Sequence, residues 1–77
     1  MEEKVVAFIL VHVAAGTEHT IIEAVQEIDD VTEAFVTFGS WDMIVRIITS
    51  NIGKLESIIG QIRKIPDVIQ TTTLLTS

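Results

Sequence analysis

Apolar residues in this chain follow two periods, one typical of β-strands and the other of helices. Four apolar positions spaced i, i+1, i+4 and i+7 fall on one face of a helix. Such a set occurs twice, and the second follows the first at an offset of 37 residues, from Ile21 to Ile58. An Asp-Val pair follows each set, so the chain repeats a helix, a turn and the start of a strand. The two sets are Ile21, Ile22, Val25 and Ile28, and Ile58, Ile59, Ile62 and Ile65.

Strands rich in β-branched residues flank both predicted helices. Gly39-Ser40 predicts a two-residue hairpin turn with glycine first. Ser50 or Asn51 is the expected N-cap of the second helix, and Pro66 ends that helix because the residue before a proline avoids the helical region. The other predicted elements are a first helix from an N-cap at Thr17 to about Ile28, and strands Lys4–Val13, Val31–Phe38, Trp41–Thr49 and Asp67–Thr76.

The order β-α-β-β-α-β predicts an α+β fold of the ferredoxin-like kind. Right-handed crossovers place the two helices on one face of a four-stranded antiparallel sheet, with the first and third strands in its centre. The first strand is apolar on both faces, and the third is nearly so, with Arg46 as the charged exception. Because the helices cover only one face, the other needs a partner. The sequence therefore predicts a dimeric α+β barrel, formed by sheet-to-sheet pairing of two copies.

Size and composition also favour association between copies. The 77 residues form one predicted domain, residues 1–77. A domain of this size buries only about 60% of its unfolded surface. Yet 48% of its residues are hydrophobic, and it has no cysteine that could form a disulfide. The apolar excess favours burial between subunits, and the lack of cysteine fits a reducing compartment, so we expect a cytoplasmic protein.

Charge and hydropathy argue against two kinds of partner. The net charge is −6 and the five basic residues are scattered, whereas nucleic-acid binding needs a basic stripe that contacts phosphates. The longest apolar run, Val5 to Val11, is too short to span a bilayer, and the amino-terminal residues lack a signal-peptide pattern. We therefore expect no direct nucleic-acid contact and no membrane segment.

Few residues are candidates for catalysis, metal binding or ligand binding. No spacing of Ser, His and Asp predicts a catalytic site, and two histidines cannot alone build a structural zinc centre, so we expect no catalytic residue, metal or cofactor. His12 lies in the first strand, where a hydrogen-bonded core or interface role is the commoner one, and the sequence shows no partner for it. Asp42 is unusual because it begins a central apolar strand, beside the single tryptophan, Trp41. Either Asp42 and backbone amides bind a small ligand, or Asp42 caps the hairpin and Trp41 fills an interface.

Two segments of the chain resemble a known family. One is Gly-x-aromatic-Asp followed by an apolar strand, in residues 37–45, and the other is Arg-x-Ile-Pro-x-Val, in residues 62–68. With the threonine-rich last strand, they resemble the effector-binding (RAM) domain of the Lrp/AsnC transcription regulators, over essentially the whole chain. Asp67 stands where the family usually has glycine, Trp41 where tyrosine or phenylalanine is commoner, and Ala15 where a proline is common. Full-length members carry a helix-turn-helix domain before this one, and because Met1 stands directly ahead of the first strand we expect none here, as in the stand-alone members that the chain resembles.

The resemblance implies a non-enzymatic module that senses amino acids and oligomerises. In the family, a free amino acid binds between dimers, and the dimers assemble into rings, here an expected octamer or decamer. A stand-alone member would modulate transcription through a partner such as a DNA-binding Lrp/AsnC paralogue. Asp42 would accept hydrogen bonds from the ligand's ammonium group. The implied ligand-binding residues are Gly39, Ser40, Trp41 and Asp42 in the hairpin, Ile52 at the helix start, and Leu74, Leu75 and Thr76 near the carboxyl end.

Three alternatives stay open. An ACT-type regulatory domain shares the element order but favours Asp-x-x-Gly-x-Leu after the first strand, where this chain has Ala14-Ala15-Gly16-Thr17. A small enzyme of the dimeric α+β barrel type needs an acid–base group between helices and sheet, and His12 is the candidate for it. The third alternative is an oligomerisation module with a vestigial site.

Overall fold

The computed structural model describes residues 4–76, so residues 1–3 and 77 of the predicted domain lie outside the described part. Its six elements follow the predicted order, and the sheet has the strand order β2-β3-β1-β4 with every neighbouring pair antiparallel. The predicted ferredoxin-like fold is therefore confirmed, with the first and third strands in the centre. The elements are β1 Val5–Val13, α1 Glu18–Gln26, β2 Val31–Val36, β3 Met43–Thr49, α2 Ile52–Arg63 and β4 Val68–Leu75.

The hydrophobic core lies between the helices and one face of the sheet. From Ala7 in β1 and Met43 in β3, every second residue is buried against the helices, since side chains alternate between the faces of a strand. Each helix contributes two buried residues of the stripe that the repeat predicted, and the other two residues of each stripe, Ile22 and Ile28 or Ile59 and Ile65, are partly buried against the core. The buried apolar residues are Ala7, Ile9, Val11, Val13, Ile21, Val25, Ala34, Met43, Val45, Ile47, Leu55, Ile58 and Ile62.

The repeat in sequence is also a repeat in backbone structure. Asp30 and Asp67, which follow the two helices, both adopt left-handed backbone angles, with φ of 72° and 74°. In each turn the amide of the following valine, Val31 or Val68, donates to the carbonyl three residues earlier at 3.3 Å. The side chains differ: the Asp30 carboxylate accepts a 2.8 Å hydrogen bond from the buried Thr49 hydroxyl, whereas the Asp67 carboxylate accepts none within residues 4–76.

The connection between β2 and β3 is longer than predicted. The amide of Thr37 donates to the carbonyl of Asp42 at 2.9 Å and closes a four-residue loop, residues 38–41, so the prediction that Gly39-Ser40 forms a two-residue turn was wrong. The Thr37 hydroxyl donates to the Trp41 carbonyl at 2.6 Å and fixes the loop from inside. Gly39 has a φ of 131°, which only glycine adopts readily, and this allows the chain to reverse within the wider loop.

The helix ends show which predicted caps are used. Asn51, rather than Ser50, caps α2, because its side-chain oxygen accepts a first-turn amide at 2.8 Å. Thr17 precedes α1, but its hydroxyl donates backwards to Ala14 and makes no capping bond. The first helix ends at Gln26 rather than near residue 28, because the next two amides bond three residues back and tighten the turn.

Candidate functional site

Asp42 ends the hydrogen-bonded ladder between the two central strands. Its amide donates to the Val11 carbonyl at 3.0 Å, and its carboxylate atom Oδ2 accepts the Val13 amide, also at 3.0 Å. The side chain thus takes the place of a backbone carbonyl where the hairpin turns away from β1. The carboxylate is 42% exposed, and its second oxygen, Oδ1, accepts no hydrogen bond from residues 4–76. A carboxylate in an apolar strand requires hydrogen-bond donors. For Asp42, a backbone amide and a histidine ring of β1 fill this role.

His12 has two partners that sequence reasoning missed. Its Nδ1 lies 3.4 Å from Oδ2 of Asp42, and its ring stacks on the indole of Trp41 with centroids 4.1 Å apart and planes 13° apart. The pairing of β1 with β3 explains these contacts. Val11 pairs with Met43, so His12, the next residue of β1, lies opposite Asp42, the residue before β3. We call His12, Trp41 and Asp42 the hairpin cluster.

The hairpin cluster lies at one end of the sheet face that the helices leave uncovered, which we call the open face. Most other open-face residues of the central strands are apolar and only partly buried within one chain. The charge on this face is paired, because Arg46 of β3 and Glu33 of β2 form a 3.1 Å ion pair. The apolar residues are Val6, Phe8 and Leu10 of β1, and Ile44 and Ile48 of β3.

The remaining predicted ligand-binding residues lie at the opposite end of the sheet. The amide and hydroxyl of Thr76 both donate to the Val6 carbonyl, at 3.1 and 2.9 Å. Val6 lies five positions along β1 from Val11, which bonds Asp42, and this is a distance of about 17 Å in a strand. Ile52 opens α2, just beyond that same far end of β3, and is 45% exposed. One chain therefore does not bring the two sets of residues together.

Gly39, Ser40, Leu74 and Leu75 are all exposed in the isolated chain. Gly39 and Ser40 lie in the loop of residues 38–41, which also contains Trp41 of the hairpin cluster. Leu74 and Leu75 pair with Phe8 and Ala7 of β1, so they alternate between the open face and the helix side at the edge strand. About half of each leucine is exposed, which leaves apolar surface at this end of the molecule.

Two clefts in the described part of the chain lie elsewhere. A cleft of about 400 Å³ lies between the Asp29-Asp30 turn and Lys54, Ser57, Ile58 and Gln61 of α2. A second, of about 320 Å³, lies between Arg63 and the start of β4. Neither of these two clefts is lined by a predicted ligand-binding residue.

Two further features bear on function. Over residues 4–76, no three His, Asp or Glu side chains are grouped so that they could hold a metal ion. The described helices are also too short and too polar to cross a membrane.

The element order and the strand order β2-β3-β1-β4 place the chain in the class of small α+β domains with a ferredoxin-like fold. The chain belongs to the Lrp/AsnC ligand binding domain family, whose pattern matches residues 6–77. This confirms the resemblance drawn from the hairpin and Arg-x-Ile-Pro-x-Val segments.

The most informative relatives are regulators and isolated domains. The chain is 35% identical over 69 residues to the HTH-type transcriptional regulator FL11 of Pyrococcus abyssi, and covers 46% of that protein. It therefore spans about half the length of the curated relatives it matches. Among solved structures, FFRP-DM1 is 36% identical with a TM-score of 0.89, and the match covers 95% of this chain and 99% of that one. Escherichia coli AsnC is 26% identical, with a TM-score of 0.86, covering 94% of this chain and 50% of AsnC.

Proposed function

We propose that this domain senses a free amino acid and forms oligomers that modulate transcription through a partner regulator. The observation that carries the proposal is the half-exposed Asp42 carboxylate, in a chain of the Lrp/AsnC ligand binding domain family. One carboxylate oxygen is anchored by β1, and the other is available to a cationic group. An ammonium group beside a carboxylate makes a charge-assisted hydrogen bond, about twice as strong as a neutral one.

Assembly is the second part of the proposal. The open face presents apolar side chains of both central strands, and an antiparallel sheet is stable with one bare face only if that face is polar or covered. A second copy with the same face is the simplest cover, and it gives the dimeric α+β barrel. Because the hairpin cluster and the residues near Thr76 lie about 17 Å apart along one strand, a ligand that contacts both would bridge different copies. Rings of dimers provide such junctions.

The route to transcription is through another protein. The relatives named as HTH-type regulators are about twice as long as this chain, and the net charge of −6 opposes contact with phosphates. A DNA-binding Lrp/AsnC protein that shares the same type of interface is the partner that fits, and the site of action would then be the cytoplasm. The family relatives are named as regulators, which favours a non-enzymatic role over the enzyme alternative.

Titration calorimetry with each of the twenty amino acids, read beside Trp41 fluorescence, tests the sensing role. We expect at least one amino acid to bind and to change the emission of Trp41, because the indole belongs to the hairpin cluster. Replacing Asp42 with Asn should weaken that binding by about 1–3 kcal/mol, as loss of a charge-assisted bond does. Asp67→Asn is the matched control, since that exposed carboxylate lies in a turn with no predicted ligand contact.

Two results would contradict the sensing role. One is the absence of a calorimetric signal with all twenty amino acids. The other is equal affinity in the wild type and Asp42→Asn, which would leave Asp42 as the end of a strand ladder and no more. In either case, a mass corresponding to an oligomer would still support the simpler reading, an assembly module with a vestigial site.

A further inference from the structure

His12 is held on two sides by residues of the proposed ligand site. Trp41 covers one face of the imidazole at 4.1 Å, and Asp42 meets its Nδ1 edge at 3.4 Å. The Val13 amide meets the same oxygen of Asp42. Two donors of β1 therefore converge on Oδ2, and they set the orientation in which Oδ1 is presented. The 3.4 Å separation is long for a hydrogen bond, so it can shorten if the interaction gains charge.

Asp42 is the one charged group of the described chain that contacts the His12 ring. On the β4 side, the residue opposite His12 is Gln70, which does not titrate. On β3, the next charged open-face residue is Arg46, four positions beyond Asp42 and already paired with Glu33. On α1, the carboxylate of the first turn, Glu18, accepts the Gly16 amide. Among the described residues, Asp42 is therefore the charged group that a protonated His12 would contact.

We propose that His12 is the positioning residue for Asp42, and that its protonation competes with the ligand's ammonium group for the Asp42 carboxylate. The proposal rests on the proposed amino-acid-sensing function and adds a regulatory input to the same site. A neutral imidazole orients the carboxylate but leaves its negative charge for the ligand. An imidazolium neutralises that charge, so the ammonium group gains less on binding.

The competition predicts that ligand binding and proton binding oppose each other. Histidine is the side chain that changes charge between pH 5 and 8, whereas a free amino acid keeps both its ammonium and carboxylate groups over that range. Binding should therefore be tighter at pH 8 than at pH 5, and binding at intermediate pH should release protons. By reciprocity, the ligand should also make His12 harder to protonate.

The first experiment needs no ligand. The chain has one tryptophan and two histidines, so the emission of Trp41 can be titrated from pH 8 to 5 and assigned by substitution. An imidazolium stacked on an indole quenches its emission more than a neutral imidazole does. We expect a one-proton quench in the wild type and in His19→Asn, whose histidine is exposed on α1, but not in His12→Asn. An unchanged quench in His12→Asn, or no quench in the wild type, would overturn the proposal.

The second experiment measures affinity at pH 8 and pH 5 for whichever of the twenty amino acids gives the largest heat at pH 8. We expect a loss of roughly tenfold at pH 5 in the wild type, a typical size for coupling between two binding events. His12→Asn, whose amide nitrogen can replace Nδ1, should bind at pH 8 and lose the pH dependence, whereas His12→Ala should bind weakly at both values. A merely structural His12 would give the same pH ratio in all three proteins, and that result would overturn the proposal. If no amino acid binds, the sensing function and the competition both fail, while the ligand-free titration still reports whether His12 governs the cluster.

Discussion

The two faces of the sheet are built by the same strands from similar residues, but the chain buries only one of them. Ile9 and Val45 face the helices and are fully buried, whereas their neighbours Leu10 and Ile44 face away and stay partly exposed. The helix-covered face is complete within one copy. The open face is also largely apolar in its central strands, but the helices of its own chain do not cover it. The difference separates two tasks: residues of one face hold the domain together, and residues of the other are available to hold copies together.

A charge on the open face should give the largest effect. In Ile44→Glu, the proposed sheet-to-sheet contact would have to bury a carboxylate, which costs several kcal/mol when the charge is unpaired. We expect the variant to sediment as a folded 8.5 kDa monomer, whereas the wild type sediments as a dimer or larger.

The control is Gln61→Glu, which adds the same charge on the exposed side of α2. It should retain the oligomeric mass of the wild type. A wild-type monomer at micromolar concentration, or an Ile44→Glu variant that still dimerises, would mean that the open face is not the contact between copies.

A cavity on the helix-covered face should have the next largest effect. Ile9→Ala removes a fully buried side chain from the central strand, and we expect the free energy of unfolding to fall by about 2–5 kcal/mol. Urea denaturation at several protein concentrations measures this loss and its origin. For Ile9→Ala the loss should be the same at each concentration, while for the neighbour Leu10→Ala it should depend on concentration, because in the proposed assembly Leu10 would act through association. If the losses in both variants depended on protein concentration in the same way, the two faces would not have separate roles in folding and association.

Thr49 is the buried polar residue of the helix-covered face, and changing its hydrogen bond should give the smallest loss of stability. Thr49 is 2% exposed, and Asp30 provides its hydrogen-bond acceptor. Asp30→Gly and Asp67→Gly each remove an aspartate from a left-handed backbone position, but only the first leaves the Thr49 hydroxyl unpaired. Asp30→Gly should therefore be the less stable of the two by about 1–3 kcal/mol, the cost of an unsatisfied buried polar group. Equal urea midpoints would show that the hydrogen bond contributes nothing.

Much of the fold was readable from periodicity because the pattern is strong and repeated. The two isoleucine stripes located both helices, and apolar residues at both parities identified β1 and β3 as central strands. The repeated Asp-Val pair located two turns that prove to share their backbone angles. These features are local or depend on burial, and buried positions can be recognised in a sequence because apolar residues occupy them.

The hairpin shows what periodicity could not provide. Gly39-Ser40 has the composition of a two-residue turn, but the Thr37 hydroxyl and backbone stabilise a wider loop. The contact of His12 with Trp41 and Asp42 depends on the register of two strands that are 30 residues apart along the chain. Register follows from side-chain packing across the whole pair, and no short motif specifies it. The ligand-binding role of Gly39, Ser40 and the residues at the far end of the sheet stays a prediction.

The two sets of predicted ligand-binding residues lie at opposite ends of the sheet. This separation has a consequence for the dose response of the proposed sensor. If a ligand is bound only where two copies meet, its apparent affinity depends on how much of the protein is assembled, because by mass action each equilibrium shifts the other. Dilute protein would then need more amino acid for the same occupancy than concentrated protein. The cellular abundance of the domain would set the threshold of the response, and expression level would serve as a tuning parameter without any change to the residues that contact the ligand.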